Sequence, residues 1–216
     1  MKLNQEFYIR TSVTQIAQEL LGKYIFTFID NKLTAGIITE TEAYAGITDR
    51  ASHAYNNRRT ARTEVMYATG GIAYVYLCYG VHHLFNIVTN QKNCPDAVLL
   101  RGILPISGIE NMEKRIGKKC TAKGFSDGPG KASKALGIMV THSGESLSGK
   151  TIWIEKSGII IKNIDFTRGP RIGVSYAGKD APLPYRFLLT KEAIRKIKKK
   201  AQQNAELFLN FEAVLI

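Results

Sequence analysis

Apolar residues recur at helical spacing close to the start of the chain. Ser12 and Gln15 fit the S-x-x-Q pattern that begins many helices, because each side chain can satisfy a free backbone N–H group. Gly22 fits the end of the same helix. The apolar positions between them predict a structural helix with one buried face: Val13, Ile16, Ala17, Leu20 and Leu21.

Strand patterns then dominate the chain, with helices between them. Residues 23–28 and 34–44 predict two strands joined by a turn at Asp30-Asn31, and 72–77 and 84–89 predict a hairpin with its turn at Tyr79-Gly80. We see no repeat and no linker, so residues 1–216 are predicted to form a single mixed α+β domain. Further elements are expected as a strand at 97–100, helices at 107–118, 131–136 and 191–208, and paired strands at 151–155 and 158–164.

The strand at 34–44 places acidic and aromatic side chains together. Side chains alternate between the two faces of a strand, so Ile38, Glu40, Glu42 and Tyr44 are expected on one face. A carboxylate beside an aromatic ring can hold a planar substrate next to a general base. A half-exposed strand with a solvated acidic edge is the alternative explanation.

The net charge of the chain favours a polyanionic partner. Thirty Lys and Arg residues against 18 Asp and Glu residues give a formal charge of +12. Such an excess is typical of proteins that bind nucleic acid, less often an anionic membrane surface, although it can also serve solubility alone. The polar stretch at 45–64 is long for a loop in a compact domain, which favours a functional role, and it carries Arg50, Arg58, Arg59 and Arg62.

Several other classes of protein are disfavoured. The first six residues are polar and no apolar run approaches the length of a membrane span, so we expect neither secretion nor membrane insertion. Cys78, Cys94 and Cys120 are odd in number and lack C-x-x-C spacing, which indicates a reducing, cytoplasmic location and no zinc site. The segment around Gly128-Pro129-Gly130-Lys131 does not match the spacing of a nucleotide-binding phosphate loop.

The predicted hairpin is rich in tyrosine. Tyr74, Tyr76 and Cys78 share one face of its first strand, whereas Tyr79 lies at the tip. Tyrosines in such positions are commonly part of a core or an interface. On a basic protein, an aromatic residue at a tip can instead enter the minor groove and fill the gap left by an extruded base.

Taken together, these segments resemble one known family. ETEAY at 40–44, SHA at 52–54, RTAR at 59–62, Met66, YVYxxYG at 74–80, Asn86, AVLLR at 97–101 and GPRIGV at 169–174 occur in one order. This arrangement is similar to the alkyladenine (3-methyladenine, methylpurine) DNA glycosylase family, over about residues 20–188.

The resemblance implies a monofunctional enzyme of base-excision repair. Such an enzyme flips damaged purines out of double-stranded DNA and hydrolyses the N-glycosidic bond, with 3-methyladenine and 7-methylguanine as substrates and hypoxanthine and etheno-adenine as further candidates. It implies a curved antiparallel sheet with flanking helices and a protruding DNA-inserting hairpin, no metal or other cofactor, and a cytoplasmic monomer without an obligate protein partner, associated with the nucleoid if the source is a bacterium.

The resemblance also assigns roles to residues. Glu42 takes the place of the carboxylate that activates water, and Tyr79 that of the residue wedged into the duplex. The residues that match the family's base pocket are Tyr44, His53, Tyr76, Asn86 and Arg101. In the basic loop, Arg58, Arg59 and Arg62 are expected to contact the DNA backbone.

Two other functions remain open at this point. A metal-dependent nuclease would need clustered carboxylates, and only Glu40 and Glu42 lie close together in the sequence. A non-catalytic nucleic-acid-binding module would have little use for a carboxylate that faces a phosphate-rich partner.

Overall fold

A computed structural model describes residues 1–203 of the chain. Its centre is an antiparallel sheet of eight strands with helices packed against it, which confirms the predicted mixed α+β fold. The strands are β1 Tyr24–Ile29, β2 Lys32–Tyr44, β3 Ala73–Cys78, β4 His82–Thr89, β5 Asp96–Ser107, β6 Ile152–Glu155, β7 Phe166–Gly169 and β8 Arg186–Leu189. The helices are α1 Gln5–Tyr8, α2 Val13–Leu20, α3 Ile109–Ile116, α4 Pro129–Leu136 and α5 Lys191–Gln203.

Helix α2 forms as its sequence pattern predicts. The Ser12 side chain accepts a hydrogen bond from the backbone N–H of Gln15, so one of the unpaired donors at the helix start is satisfied. The apolar face is buried, and the Thr41 hydroxyl on β2 donates to the backbone oxygen of Ala17 at 2.8 Å. This contact fixes β2 against the helix on the side opposite Glu42.

Strand β2 lies at the centre of the sheet. The main path of the sheet runs β3-β4-β5-β2-β1-β6, and β8 also pairs with β2 while β7 pairs with β8. The turn from β1 to β2 uses Asp30 and Asn31 at φ of 53° and 54°, as expected for a tight hairpin turn. Residues Glu40 to Glu42 are paired with both β5 and β8, so their backbone is held on both sides.

Two register shifts interrupt the pairing of β2 with β5 on either side of Glu40. Ile38 is opposite Ile103 and Glu40 is opposite Gly102, so Thr39 is an extra residue on β2. Thr41 is next opposite Leu100, which leaves Arg101 as an extra residue on β5. Bulges redirect side chains. Ile38 consequently packs in the main core, whereas Glu40 and Glu42 both lie within ion-pair distance of Arg101.

The structure corrects two predictions about the strands and adds two strands that were not predicted. The strand expected at 97–100 continues to Ser107, because β5 pairs with β2 along almost its whole length. Residues 158–164 are not a strand, and β6 pairs with β1 instead. Strands β7 and β8 were missed, since each has only four residues and depends on its pairing for stability.

Helix α5 follows the predicted pattern over the residues that can be described. Ile197 and Ala201 are buried and Ile194 packs partly against the core, as its spacing predicts. The predicted continuation to about residue 208 lies outside the described residues. Within residues 1–203, no helix combines the length and apolar character needed to cross a membrane.

Candidate active site

Glu42 is a buried carboxylate with a defined partner at each oxygen. The Tyr44 hydroxyl donates to Oε2 at 2.8 Å, and the backbone N–H of Ile172 donates to Oε1 at 2.8 Å. The side chain has no exposed surface. Burial raises the pKa of Glu42 above its ordinary value, while Arg101 and the two hydrogen bonds act in the opposite direction. A carboxylate of this kind is a candidate general base.

An ion-pair cluster adjoins Glu42. The Nε atom of Arg101 lies 2.9 Å from Oε1 of Glu40 and 3.3 Å from Oε1 of Glu42. Arg186 on β8 reaches the same Glu40 oxygen through its own Nε at 2.6 Å. Arg101 was expected in the base pocket, but the structure places it beside the two carboxylates, outside the set of residues that lines the pocket.

The predicted aromatic residues meet at one concave pocket. His53 and Tyr76 lie side by side with ring centroids 4.6 Å apart, and Tyr74 is 5.5 Å from Tyr76. These are aromatic and polar side chains around one concave space, as expected at a site for a small planar ligand. The lining residues are Tyr44, Ala51, Ser52, His53, Met66, Tyr74, Tyr76, Asn86, Ala97 and Tyr176.

His53 is held as a neutral ring in this pocket. Its Nδ1 atom lies 2.9 Å from the Tyr74 hydroxyl oxygen, and its Nε2 atom lies 3.4 Å from Arg62. Burial, with the nearby charges of Arg62 and Arg58, lowers the pKa of His53 from 6.5 to about 4. A neutral imidazole has at most one N–H donor and one acceptor nitrogen. The orientation of the ring therefore decides which hydrogen bond it can form with the polar edge of a ligand.

Asn86 is fixed at the wall of the pocket. Its side-chain amide donates to the backbone oxygens of Tyr74 and Leu84 at 3.1 and 3.2 Å. Asn86 is opposite Tyr74 in the β3–β4 hairpin, so the strand pairing itself carries the side chain to this place. Asn86, which the resemblance assigns to the base pocket, is therefore held in place by these hydrogen bonds and by the strand pairing.

Tyr79 projects from the tip of the same hairpin. Cys78 pairs with His82, so residues 79–81 form the turn, and Tyr79 and Gly80 have positive φ values of 50° and 71°. The Tyr79 side chain is 94% exposed, whereas Tyr74 on the preceding strand is buried. The structure thus places Tyr79 at the tip and outside the core.

The three arginines predicted to contact the DNA backbone differ in their surroundings. Arg59 pairs with Glu64 at 2.6 Å and stacks on Tyr67, so its charge is already compensated. Arg62 packs over the Tyr76 ring at 4.9 Å from its centroid, close to His53. Arg58 is exposed, and its charge is near enough to His53 to help lower the pKa of that histidine. Only Arg62 is in direct contact with the pocket residues.

Sequence reasoning missed a buried brace behind the pocket. The Arg171 guanidinium pairs with both oxygens of Asp49, donates to the backbone oxygen of Ala43 at 2.9 Å and packs against the Tyr44 ring. This brace ties β2 to two loops, and one of them supplies the Ile172 N–H to Glu42. Arg171 lies inside the GPRIGV segment, but its partner is 122 residues away, so no local spacing indicates the pair.

Tyr176 was also missed. It lines the pocket, its side chain is 69% exposed, and its hydroxyl donates to the backbone oxygen of Ala51 at 3.2 Å. The residue lies in a short 3₁₀ helix, Ser175–Asp180, whose sequence shows no apolar period. Within residues 1–203, no three His, Cys, Asp or Glu side chains are grouped so that they could hold a metal ion.

Comparison with known proteins identifies the class to which this fold and site belong. Residues 6–193 match the model of the methylpurine-DNA glycosylase (MPG) family. The chain belongs to this family, whose members are DNA glycosylases, hydrolases that act on N-glycosyl bonds.

Individual relatives agree with that membership. Proteins named "Putative 3-methyladenine DNA glycosylase" from Chlamydia felis, Clostridium perfringens strain 13 and Bacillus cereus strain ATCC 14579 are 43%, 41% and 41% identical to the chain. The matches cover 90%, 88% and 80% of this chain and 100%, 96% and 88% of the relatives.

Proposed function

We propose that the protein excises alkylated or deaminated purines from double-stranded DNA by base flipping, with Glu42 activating the water that hydrolyses the N-glycosidic bond. The observation that carries this proposal is the direct hydrogen bond between Glu42 and Tyr44, which links a buried carboxylate to an aromatic pocket. The proposed substrates are 3-methyladenine and 7-methylguanine, together with the neutral lesions hypoxanthine and etheno-adenine.

The aromatic pocket suits a flipped base. Alkylation at N3 or N7 makes a purine cationic, which improves the leaving group and strengthens stacking on the electron-rich rings of Tyr44 and Tyr76. Cation–π attraction contributes about 0.5–2 kcal/mol per contact. Asn86 and the neutral His53 provide fixed polar groups against the edge of the base.

The carboxylate suits the chemistry at the sugar. Glycosidic cleavage passes through an oxocarbenium-like transition state. Glu42 would take a proton from the attacking water and, as an anion, also stabilise the developing positive charge. Its pKa is raised by burial, which makes it a stronger base than an exposed glutamate. No lysine is among the described residues that line the pocket, in agreement with direct hydrolysis rather than a Schiff-base route.

The proposal requires a local opening. Glu42 has no exposed surface, so water must reach it when the nucleotide enters. Ile172 and Tyr176, both exposed, belong to the loop that covers Glu42 and borders the pocket, and a small shift of that loop would admit water. Catalytic hydrogen bonds commonly differ in length between the free enzyme and its substrate complex.

DNA binding would use the hairpin tip and the basic loop. Tyr79 would fill the gap left by the flipped base, while Arg58 and Arg62, and to a smaller extent the ion-paired Arg59, would contact phosphates. The protein would act as a cytoplasmic monomer without metal or cofactor.

One assay separates this function from its rivals. Duplexes that carry one lesion each are incubated with the protein in excess EDTA, and free base and strand breaks are measured separately. We expect free base from alkylated duplex with an intact backbone. Strand cleavage restored by Mg²⁺ would support the nuclease instead, and binding without any product would support the binding module.

A further inference from the structure

Glu40 is a second buried carboxylate beside the proposed base, and the proposed chemistry does not use it. Its Oε1 atom accepts from Nε of Arg101 at 2.9 Å and from Nε of Arg186 at 2.6 Å. Its side chain is 9% exposed. Two guanidinium groups from two different strands thus converge on one oxygen of Glu40.

Arg101 is shared unequally between the two carboxylates. Its Nε–H group forms a hydrogen bond with Glu40, while Oε1 of Glu42 is 3.3 Å away and already accepts the N–H of Ile172. Arg101 is the extra residue of the β5 bulge and Glu40 immediately follows the bulge on β2. The sheet irregularities therefore direct this guanidinium toward Glu40.

We propose that Glu40 is a positioning residue for Glu42: by accepting the Nε–H of Arg101, it keeps that guanidinium from donating a hydrogen bond to Glu42, which it contacts only as an ion pair at 3.3 Å, so the Glu42 carboxylate remains available to water. This inference rests on the proposed function, since it assumes that Glu42 is the base. Arg186 completes the arrangement by balancing the charge of Glu40.

The basicity of Glu42 depends on how closely Arg101 pairs with it. A carboxylate in a close, hydrogen-bonded ion pair is a weaker base, because the opposite charge stabilises its ionised form. Burial acts the other way on Glu42, and the unequal sharing preserves that effect. The other charged or titratable groups that face Glu42 are Tyr44 on its own strand, Arg171 and Tyr176 on the covering loop, and Arg186 on the paired strand β8.

The test titrates Glu42 itself. Protein labelled with ¹³C-glutamate is titrated by NMR, with the Glu42 carboxyl signal assigned by its absence from Glu42→Gln. The variants are Glu40→Gln, Glu40→Gln/Arg186→Gln and Glu40→Asp. The double variant restores the net charge but leaves Arg101 free, and Glu40→Asp keeps the charge but shortens the reach to Arg101.

We expect the Glu42 titration midpoint to move to lower pH in all three variants, because Arg101 turns to Glu42. Base release in Glu40→Gln should fall about 10–100-fold, less than the loss of a general base outright, which is about 10²–10⁴-fold. Thermal melts accompany each titration. If Glu40→Gln and the double variant do not fold, Glu40→Asp decides: a lower midpoint supports the proposal and an unchanged one overturns it.

Two results would overturn it among folded variants. An unchanged midpoint in Glu40→Gln would show that Glu40 has no influence on Glu42. A wild-type midpoint in the double variant would show that only net charge matters, not the placement of Arg101. The titration does not depend on turnover, so a lower midpoint in a protein whose Glu42→Gln variant still releases base would contradict the proposed function and leave the placement of Arg101 intact.

Discussion

The hydroxyl group of Tyr44 donates a hydrogen bond of 2.8 Å to Oε2 of Glu42, two residues earlier on the same strand. One residue thus contributes both to the wall of the aromatic pocket and to the hydrogen bonding of the buried carboxylate. The Tyr44 ring is itself held from behind by Arg171. The position of a base stacked in the pocket and the position of the carboxylate are consequently coupled through a single side chain.

Replacement of Tyr44 by phenylalanine tests this coupling. The ring would remain, so lesion binding should change little. Loss of a hydrogen bond to a charged group costs about 1.5–3 kcal/mol, and base release should fall about tenfold or more. The pKa of Glu42 should rise further, because the Tyr44 bond lowers it, and the acid limb of the kcat/KM profile should move to higher pH.

Tyr67→Phe is the matched control for Tyr44→Phe. The Tyr67 hydroxyl is buried without a hydrogen-bond partner in the described structure, and its removal should leave activity and its pH profile unchanged. Equal effects of the two variants would show that the Tyr44 hydroxyl has no special connection to Glu42.

Tyr79→Ala should weaken base flipping without unfolding the protein. The side chain is 94% exposed at the hairpin tip, so its removal should shift the melting temperature little. Flipping costs a few kcal/mol of stacking and pairing, part of which an inserted ring recovers. Fluorescence of 2-aminopurine beside the lesion should therefore report less flipping, most clearly for well-paired lesions.

Tyr74→Ala is the contrasting variant on the same hairpin. Tyr74 is buried, and large-to-small changes of this kind cost about 3–5 kcal/mol of stability. A large drop in melting temperature for Tyr79→Ala, with the fluorescence change on binding intact, would show that Tyr79 is structural.

His53 should make the stability of the protein depend on pH in a defined window. Its pKa is 6.5 in an ordinary environment and about 4 in the folded protein, so the unfolded chain binds this proton more readily. The resulting stability is fully present above about pH 6.5 and is lost as the pH falls toward about 4. Denaturant unfolding at several pH values should show a steeper loss in wild type than in His53→Gln. Parallel curves would contradict a neutral, buried His53.

Arg62→Ala should reduce the salt dependence of binding to undamaged DNA. Each phosphate contact adds about −0.9 to the slope of log K against log salt. Arg62 has no carboxylate partner within the described residues, whereas Arg59 pairs with Glu64 at 2.6 Å. We therefore expect Arg62→Ala to make the slope shallower by about one contact, and Arg59→Ala to change it less. Equal slopes for wild type and Arg62→Ala would remove Arg62 from the DNA interface.

The sequence predicts those parts of the fold and site that depend on local pattern. The helix cap at Ser12, the tight turn at Asp30-Asn31 and the tyrosine-tipped hairpin follow from residue type and spacing, and the structure confirms each one. The same local spacing put Glu42 and Tyr44 on one face of β2. The β3–β4 pairing then carries Asn86 to the pocket.

Features that depend on distant pairing could not be predicted in this way. The bulges at Thr39 and Arg101 exist only where β2 and β5 meet, and Arg101 lies there beside the two carboxylates. The Arg171–Asp49 pair joins loops far apart in the chain and becomes necessary because both charges are buried. Burial of this kind is a property of the packed structure and leaves no period in the sequence.

The most direct test of the account is single-turnover base release by Glu42→Gln from a duplex that contains 3-methyladenine or hypoxanthine. Glutamine keeps the shape of the side chain but removes its basicity and charge. We expect lesion binding close to that of wild type and a fall in the rate greater than the roughly 10²–10⁴-fold typical of one general base, since charge stabilisation is lost as well. Glu110→Gln, which removes an exposed glutamate on α3, should release base at the wild-type rate. Near-normal turnover by Glu42→Gln would contradict the account.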